Sequence, residues 1–251
     1  MSEISILGEH NYFMFCDQDD VWHSNKILLS LESILEHEKQ QGSDHPILVH
    51  TDFQYVDSEL NVLDVKVNVA KRLSQIDDKL KIIANDNYIF GCTMIINKPL
   101  LELSLPIPRE AENHDYWIAL HAAAFGKIGY LHMKTMLYRQ HGNNVTGGLA
   151  YSTMLARIKR LVNFSIYITH KNRRLIQFNA FLQKERTKFS SDVYDILKQY
   201  MQNSLRGGLS AVFFMYRSGF RMRGISQTIV YYISIVLDKE VDLSNSGPQG
   251  K

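Results

Sequence analysis

The stretch 12–22 constrains the fold of this chain more than any other part of its sequence. Five consecutive apolar or aromatic residues, 12–16, are followed at once by three aspartates, Asp17, Asp19 and Asp20. Such a run predicts a buried strand of the kind found inside a parallel sheet that is covered on both faces. In an open α/β sheet, ligands bind at the carboxyl ends of the strands. The stretch therefore predicts an α/β fold with a ligand site beside these aspartates.

The spacing of the aspartates favours a bound cation. On extended backbone the side chains of Asp17 and Asp19 point to the same side, because side chains alternate with period two. Two carboxylates held that close repel each other unless a cation or a shared proton lies between them. A hard divalent ion such as Mg²⁺ or Mn²⁺ prefers oxygen ligands. A solvated acidic turn is the alternative, since a short motif of this kind also occurs by chance.

The composition indicates a globular protein of a reducing compartment. The chain has 251 residues, of which 45% are hydrophobic, and this is enough for a sizeable core. Cys16 and Cys92 lie in apolar runs and form neither a disulfide framework nor a metal-ligand spacing. The first residues lack the basic and apolar regions of a secretory signal. The two most apolar runs, 209–216 and 225–237, are shorter than the roughly 18–20 residues that span a bilayer.

The net charge of +2 conceals two halves of opposite sign. Residues 1–150 hold 12 Lys and Arg against 20 Asp and Glu, whereas residues 151–230 hold 14 against 3. An acidic half joined to a basic half predicts a catalytic unit with a region that binds an anionic surface. Arg217, Arg221 and Arg223 separate the two apolar runs, as in helices that lie in a membrane interface.

A protein surface and nucleic acid are two other possible partners of a basic helical region. Helices with apolar stripes also pack against the rest of their own domain or against a partner chain. Nucleic acid is not expected, because no aromatic stacking module is recognisable.

Hydrophobic periodicity predicts alternating helices and strands through the first 140 residues. These are a helix over 24–40 capped by Ser24, a strand over 47–50, a loose ribbon over 53–69, a helix over 73–84, a strand over 88–96, a helix over 118–126 and short strands over 128–131 and 136–138. Gly91 interrupts the 88–96 strand, as at a bulge or at a close approach of a ligand to the backbone, and a simple packing accommodation is the alternative. From Tyr151 to about Asp238 the pattern is helical.

Three polar clusters stand out in the acidic half: Asp17 with Asp19 and Asp20, His114 with Asp115, and the stretch 138–142. They belong to a series of stretches over roughly 10–147, namely FCDQDDVW at 15–22, GCTM at 91–94, HDYW at 114–117 and YRQHGNN at 138–144. In content and order these stretches resemble the family 2 glycosyltransferases of the GT-A fold, most closely the rhamnosyltransferase-like members that build bacterial surface polysaccharides.

The resemblance implies a donor site for a nucleotide sugar and a divalent metal, Mg²⁺ or Mn²⁺. Asp17 and Asp19 would form the DxD element on the donor diphosphate, with Asp17 nearer the ribose, Asp19 on the metal and Asp20 supporting. His141 would be a second metal ligand near the diphosphate. Arg139 would neutralise charge on the leaving group.

The resemblance also implies an acceptor side. Asp115 would be the general base on the acceptor hydroxyl, and Gly91 with Cys92 would line the sugar pocket. The chemistry agrees with these roles, because inverting transfer needs a base on one face of the sugar and charge neutralisation at the departing diphosphate.

The implied architecture is α/β: a truncated, Rossmann-like GT-A mixed sheet with helices on both faces over 1–147. A basic helical region for membrane or partner association follows over 148–240, and a disordered tail over 241–251. Family members normally begin with two further strands that bind the nucleotide base and ribose. This N-terminal half is expected to be missing, so that activity would need a separate chain and the isolated chain would bind nucleotide sugar weakly.

The implied function is metal-dependent, inverting transfer of a sugar onto a polysaccharide or lipid-linked glycan. The donor would be dTDP-rhamnose or a UDP-sugar. The chain would work in the cytoplasm, peripherally at the inner face of the plasma membrane. Association into a homo-oligomer is a further expectation.

Two alternatives stay open on the sequence. A phosphohydrolase of the haloacid dehalogenase type would use Asp17 as nucleophile and Asp19 as acid/base, but the later lysine and acidic pair of that family have no convincing candidates. A non-catalytic remnant would bind a membrane or a partner through its basic helices.

Overall fold

The chain divides into two compact units, which are described one at a time. The structure, a computed structural model, describes residues 10–63, 78–140 and 164–237. Of these, the first unit holds 10–63, 78–79, 87–107 and 114–140, and the second holds 80–86, 108–113 and 164–237. The domain boundaries suggested by the sequence stay a prediction, because 141–163 and 238–251 lie outside the described residues.

The first unit is built on a five-stranded mixed sheet with the strand order β1-β4-β3-β5-β2. The strands are β1 (Tyr12–Met14), β2 (Val21–Trp22), β3 (Ile47–Val56), β4 (Met94–Asn97) and β5 (Lys127–Arg139). The central pair β3 and β5 is parallel, and the other three pairings are antiparallel. This arrangement confirms an α/β fold with a mixed sheet.

The described helices are α1 (Lys26–Gln41), α2 (Leu80–Ile83), α3 (Lys98–Ser104), α4 (His114–Phe125), α5 (Phe164–Lys184), α6 (Ser191–Arg206), α7 (Gly208–Ser218) and α8 (Ile225–Leu237). In the first unit, α1 covers one face of the sheet, where Ile34 packs with Ile47, Val49 and Ile95. The alternate residues of the same strands point to the opposite face and are also fully buried. Helix α3 contacts β3 and β4, and α4 contacts β3 and β5.

A buried asparagine links two helices and a strand of the first unit. Asn97 Oδ1 accepts hydrogen bonds from the backbone N–H groups of Ile47 and Leu100, at 2.9 and 3.3 Å, and so caps α3. Its Nδ2 donates to the Glu38 carboxylate at 3.1 Å and to the His45 carbonyl at 2.8 Å. One side chain therefore satisfies donors and acceptors from α1, β3 and α3.

The predicted position of the first strand is wrong. Strand β1 has only three residues, pairs antiparallel with β4 and lies at one end of the described sheet. Its residues are half-buried. Other parts of the chain still cover the apolar side chains of the run 12–16. Tyr12 and Met14 pack beside the Ile34 cluster, and Phe15 packs on the His114 ring with 4.8 Å between the ring centroids.

Several other elements differ from the predicted ones in their bounds. The predicted strand over 47–50 continues to Val56, and the two short strands over 128–131 and 136–138 are one strand, β5, with register shifts opposite β3. Ser24 does not cap α1, whose N-cap position is Asn25, without a side-chain hydrogen bond.

Around Gly91 only Met94–Asn97 is strand, because Gly91–Thr93 forms a 3-10 turn. Helix α4 begins at His114, four residues before its predicted start. The predicted ribbon and helix between 53 and 84 lie partly outside the described residues.

The second unit is helical, as the sequence predicts from 151 onward. Its core is centred on Tyr200, whose ring stacks on Phe220 at 4.2 Å and meets Phe178 edge-on at 5.2 Å. The Tyr200 hydroxyl donates to Asn85 Oδ1 at 2.8 Å. No described helix is both long enough and apolar enough to cross a bilayer.

Candidate functional site

A turn after β1 brings two of the three aspartates together. Gln18 and Asp19 form this turn, and a carboxylate oxygen of Asp17, one of Asp20 and the Cys92 sulfur lie within 4.8 Å of one another. Because the backbone turns here, the alternation of an extended strand does not apply. Residues i and i+3 therefore meet, and the carboxylate that joins Asp17 in this group is Asp20 rather than Asp19.

The backbone of β5 holds Asp20 in place. Its Oδ1 accepts the Arg139 backbone N–H at 3.1 Å, while Oδ2 is buried and has no well-formed hydrogen bond among the described residues. Burial raises the pKa of Asp20 to about 6, the charges of Asp17 and Asp19 add to the rise, and the Arg139 N–H and the Cys92 thiol oppose it. Asp20 is thus a carboxylate with one fixed and one uncommitted oxygen.

The side chain of Arg139 anchors the same turn. Its Nε donates to the Asp19 backbone carbonyl at 2.8 Å, and a terminal N–H donates to the Ser58 carbonyl. Arg139 therefore lies at the site as the sequence predicts, and it binds backbone oxygens there. Its role in neutralising a leaving group stays a prediction.

Gly91 and Asp115 lie against each other. The Gly91 N–H donates to Asp115 Oδ2 at 3.1 Å, and Asp115 Oδ1 accepts the Tyr116 N–H at 2.6 Å. A Cβ atom at Gly91 would lie 2.9 Å from His114 Nε2 and 3.4 Å from Asp115 Cβ. The glycine thus allows the 91–93 turn to pack closely against the start of α4, which is the packing accommodation that the sequence leaves open beside a bulge or a ligand.

Asp115 belongs to the same electrostatic site as the aspartate turn. Burial raises the pKa of Asp115, the neighbouring His114 and the N–H groups of Tyr116 and Gly91 oppose the rise, and the charge of Asp17 adds to it. The structure therefore brings together the turn at 17–20, the Gly91–Cys92 corner, the start of α4 and the end of β5. His141 lies outside the described residues.

Cys92 closes the site from the side of the sheet. It is buried with Met136 and Tyr138, and half-buried aromatic rings pack against these three, namely Trp22, Phe53, Tyr55 and Phe90. Burial raises the pKa of the Cys92 thiol, and the charges of Asp20 and Asp17 raise it further. Cys92 is therefore a neutral thiol at neutral pH.

A lysine that the sequence analysis did not single out lies beneath this cluster. Lys26 is fully buried, and its Nζ donates to Thr135 Oγ1 at 3.2 Å and contacts Met136 Sδ at 3.7 Å. Burial lowers the pKa of Lys26 to about 8, and Cys92, Asp20 and Cys16 oppose this fall. It lies on the buried stripe of α1 with Ser30 and Ile34, and because two of these three residues are polar, the apolar spacing of the helix gives no signal for it.

The donor atoms of this group fit a hard divalent cation. Asp17 and Asp20 offer carboxylate oxygens, including the uncommitted Oδ2 of Asp20. Mg²⁺ and Mn²⁺ favour such oxygens, whereas the neutral Cys92 thiol is a poor ligand for either ion. The two aspartates, rather than the cysteine, would therefore hold the ion.

Fold and site together are consistent with an α/β glycosyltransferase. The chain is 24% identical over 244 residues to the dTDP-rhamnosyl transferase RfbG of Shigella flexneri, an alignment that covers 92% of this chain and 72% of that protein. No protein-family model matches the chain. The similarity supports a rhamnosyltransferase-like glycosyltransferase and does not favour the phosphohydrolase alternative.

Proposed function

We propose that this chain transfers a sugar from a nucleotide-sugar donor to a hydroxyl of a glycan or lipid-linked acceptor, with metal dependence and inversion at the anomeric carbon. The first donor to test is dTDP-rhamnose, the donor in the name of the similar Shigella protein, and a UDP-sugar is the second. One observation carries the proposal: the half-buried Asp115 lies within electrostatic range of Asp17, whose carboxylate lies beside that of Asp20.

On the donor side, Asp17 and Asp20 would hold the cation against the diphosphate, with Asp19 beside them. The bound Mg²⁺ or Mn²⁺ would supply Lewis-acid stabilisation of the departing diphosphate. Arg139 fixes the geometry of this turn, because its backbone N–H holds Asp20 and its guanidinium holds the Asp19 carbonyl. These contacts orient the 17–20 turn and leave the negative charge of the Asp17 and Asp20 carboxylates available for a cation.

On the acceptor side, Asp115 would take the proton of the attacking hydroxyl. As the bond from the anomeric carbon to the diphosphate oxygen breaks, its electron pair leaves with the diphosphate, and the acceptor oxygen bonds to the opposite face. The transition state resembles an oxocarbenium ion, so the proton moves late. The N–H groups of Gly91 and Tyr116 orient the Asp115 carboxylate for this step.

Activity assays on matched variants test this proposal. The full chain is incubated with dTDP-rhamnose or a UDP-sugar, Mn²⁺ and a membrane extract that contains lipid-linked acceptors, and released nucleotide is quantified. Asp115→Asn should lower turnover by about 10²–10⁴-fold, and EDTA should abolish it. Asp195→Asn, which changes an exposed aspartate on α6, is the control and should leave turnover unchanged. Absence of transfer from every donor, or full activity of Asp115→Asn, would overturn the proposal.

We further propose that α7 and α8 of the second unit bind an anionic membrane surface. Leu209, Phe213 and Tyr216 are 77%, 62% and 74% exposed at helical spacing on α7. On α8 the exposed apolar residues are Ile225, Ile229, Ile233 and Leu237. Arg217 lies over the Phe213 ring, 5.7 Å from its centroid, so a cation accompanies the apolar face. This combination matches the headgroup boundary of an anionic leaflet.

Liposome co-sedimentation tests the membrane proposal. Vesicles with anionic lipid should pellet the chain and neutral vesicles should not. Phe213→Glu should weaken binding at least about tenfold, since it places a charge in the boundary. The control is Ile196→Glu on α6, where the isoleucine is also exposed, at 40%. Equal loss in both variants, or a stable homo-oligomer in which this face is buried, would refute membrane binding by α7 and α8.

A further inference from the structure

A lysine is buried beside the carboxylate group of the candidate site. Lys26 is 0% exposed, and within the described part of the chain no carboxylate oxygen lies within ion-pair distance of its Nζ. Burying an ammonium group without a counter-charge is costly, and such groups are normally paired. The environment of Lys26 must therefore compensate this cost in another way.

The direct contacts of Lys26 are neutral. Nζ donates to Thr135 Oγ1, which shares a 2.7 Å hydrogen bond with Thr51 Oγ1. Nζ also lies 5.0 Å from the centroid of the Trp22 ring and 3.7 Å from Met136 Sδ. One hydroxyl, one aromatic face and one thioether solvate an ammonium only in part. Negative charge at longer range adds to these contacts, because Asp20 opposes the fall that burial causes in the pKa of Lys26.

That negative charge is the aspartate group. Asp20 lies two residues before Trp22, and its buried oxygen and the Cys92 sulfur belong to the same group as the Asp17 carboxylate. Lys26 approaches this group from the interior, on the side of Met136, which also packs on Cys92. Met136 and Cys92 thus link the surroundings of the Lys26 ammonium to the aspartate group.

We propose that Lys26 is a positioning residue that acts as a built-in counter-charge to Asp20, reducing the repulsion between Asp20 and Asp17 when no ligand is bound and weakening the affinity of the two carboxylates for a divalent cation. The second half of this statement rests on the proposed function, because it assumes that the aspartates bind a cation. The first half does not. A methionine at position 26 would keep much of the stem of the side chain and remove its charge together with the hydrogen bond to Thr135 Oγ1.

A double-mutant comparison tests the counter-charge without any ligand. Thermal unfolding is followed in EDTA for the full chain, Lys26→Met, Asp20→Asn and the double variant. Lys26→Met should lower the melting temperature by at least about 3 °C more in the wild-type background than in the Asp20→Asn background. Equal losses in the two backgrounds would mean that Lys26 only fills space, and would overturn the proposal.

Failure to fold is also informative in this comparison. If Lys26→Met folds only together with Asp20→Asn, the aspartate is the group that needs the lysine, which supports the proposal. If the double variant also fails to fold, the coupling is absent and the proposal is overturned.

Calorimetric titration with Mn²⁺ tests the effect on cation affinity. Removing a positive charge near the carboxylates should tighten Mn²⁺ binding by about tenfold in Lys26→Met. Lys39→Met, on an exposed lysine of the same helix, is the control and should leave binding unchanged. Unchanged or weaker binding in Lys26→Met would overturn the second half of the proposal. If neither wild type nor variant binds Mn²⁺, the metal dependence under the proposed function fails, while the unfolding comparison still decides the role of Lys26.

Discussion

The Asp20 carboxylate should destabilise the folded chain at neutral pH. Its pKa is raised by burial from 3.8 to about 6, so the folded state binds more protons than the unfolded state between these values. The free energy of unfolding should therefore fall as pH rises from about 4 to about 6. Above pH 6 the folded chain should carry the whole destabilisation caused by the ionised Asp20. At about 1.4 kcal/mol per pH unit the difference corresponds to about 3 kcal/mol. Because Asp20 is only half-buried, solvent screening reduces the expected cost to about 1–2 kcal/mol.

Asp20→Asn isolates this cost. The amide oxygen can still accept the Arg139 backbone N–H that Oδ1 accepts at 3.1 Å, while the charge beside Asp17 is removed. At pH 7.5 the variant should be more stable than the wild type by about 1–2 kcal/mol in urea unfolding. At pH 4 the two proteins should be nearly equal, because the wild-type carboxyl is then mostly protonated.

Two results would refute this reasoning. One is an equal or lower stability of Asp20→Asn at pH 7.5, and the other is a difference that does not narrow toward pH 4. Asp195→Asn serves as control, since this exposed aspartate on α6 should show neither effect. The variant should also lose sugar transfer, so that stability and activity change in opposite directions.

Two further substitutions separate the site from the scaffold. Gly91→Ala should displace the His114 ring, which a new Cβ would meet at 2.9 Å, and should lower transferase turnover by about 10²-fold through misplacement of Asp115; steady-state kinetics with circular dichroism would show whether turnover falls in a folded protein. Tyr200→Phe removes the 2.8 Å hydrogen bond to Asn85 in the second unit and should lower the free energy of unfolding in urea by about 1–2 kcal/mol. Turnover should stay unchanged, so a fall in turnover as large as that of Gly91→Ala would contradict this prediction.

The α/β class was predictable because its signals are local. Helical spacing over 24–40 and the apolar run at 47–50 each predict one element, and both elements are present as α1 and β3, although Ile27 and Leu28 of α1 are exposed. The place of the 12–16 run in the sheet was not predictable. An apolar run records that a segment is covered, whereas its neighbours are set by pairing with residues far away, here Ile95 and Asn97 of β4.

The members of the site were predictable from their motifs, and their arrangement was not. Asp17, Asp20, Asp115 and Arg139 converge as the resemblance implies. The pairing of Asp17 with Asp20 depends on a turn at 18–19, which no periodicity encodes. The burial of Lys26 is not predictable from the sequence for a related reason, since a lysine in the first turn of a helix usually points to solvent.

The way in which the chain holds its carboxylates determines which ligand suits the site. Backbone N–H groups hold two of the candidate site aspartates, those of Gly91 and Tyr116 on Asp115 and that of Arg139 on Asp20. Such donors fix the direction of an oxygen and leave most of its charge in place. A nucleotide diphosphate alone would therefore meet like charge at the 17–20 turn and be repelled. A divalent cation reverses this sign, so the donor and the ion are expected to bind together, each far more weakly without the other.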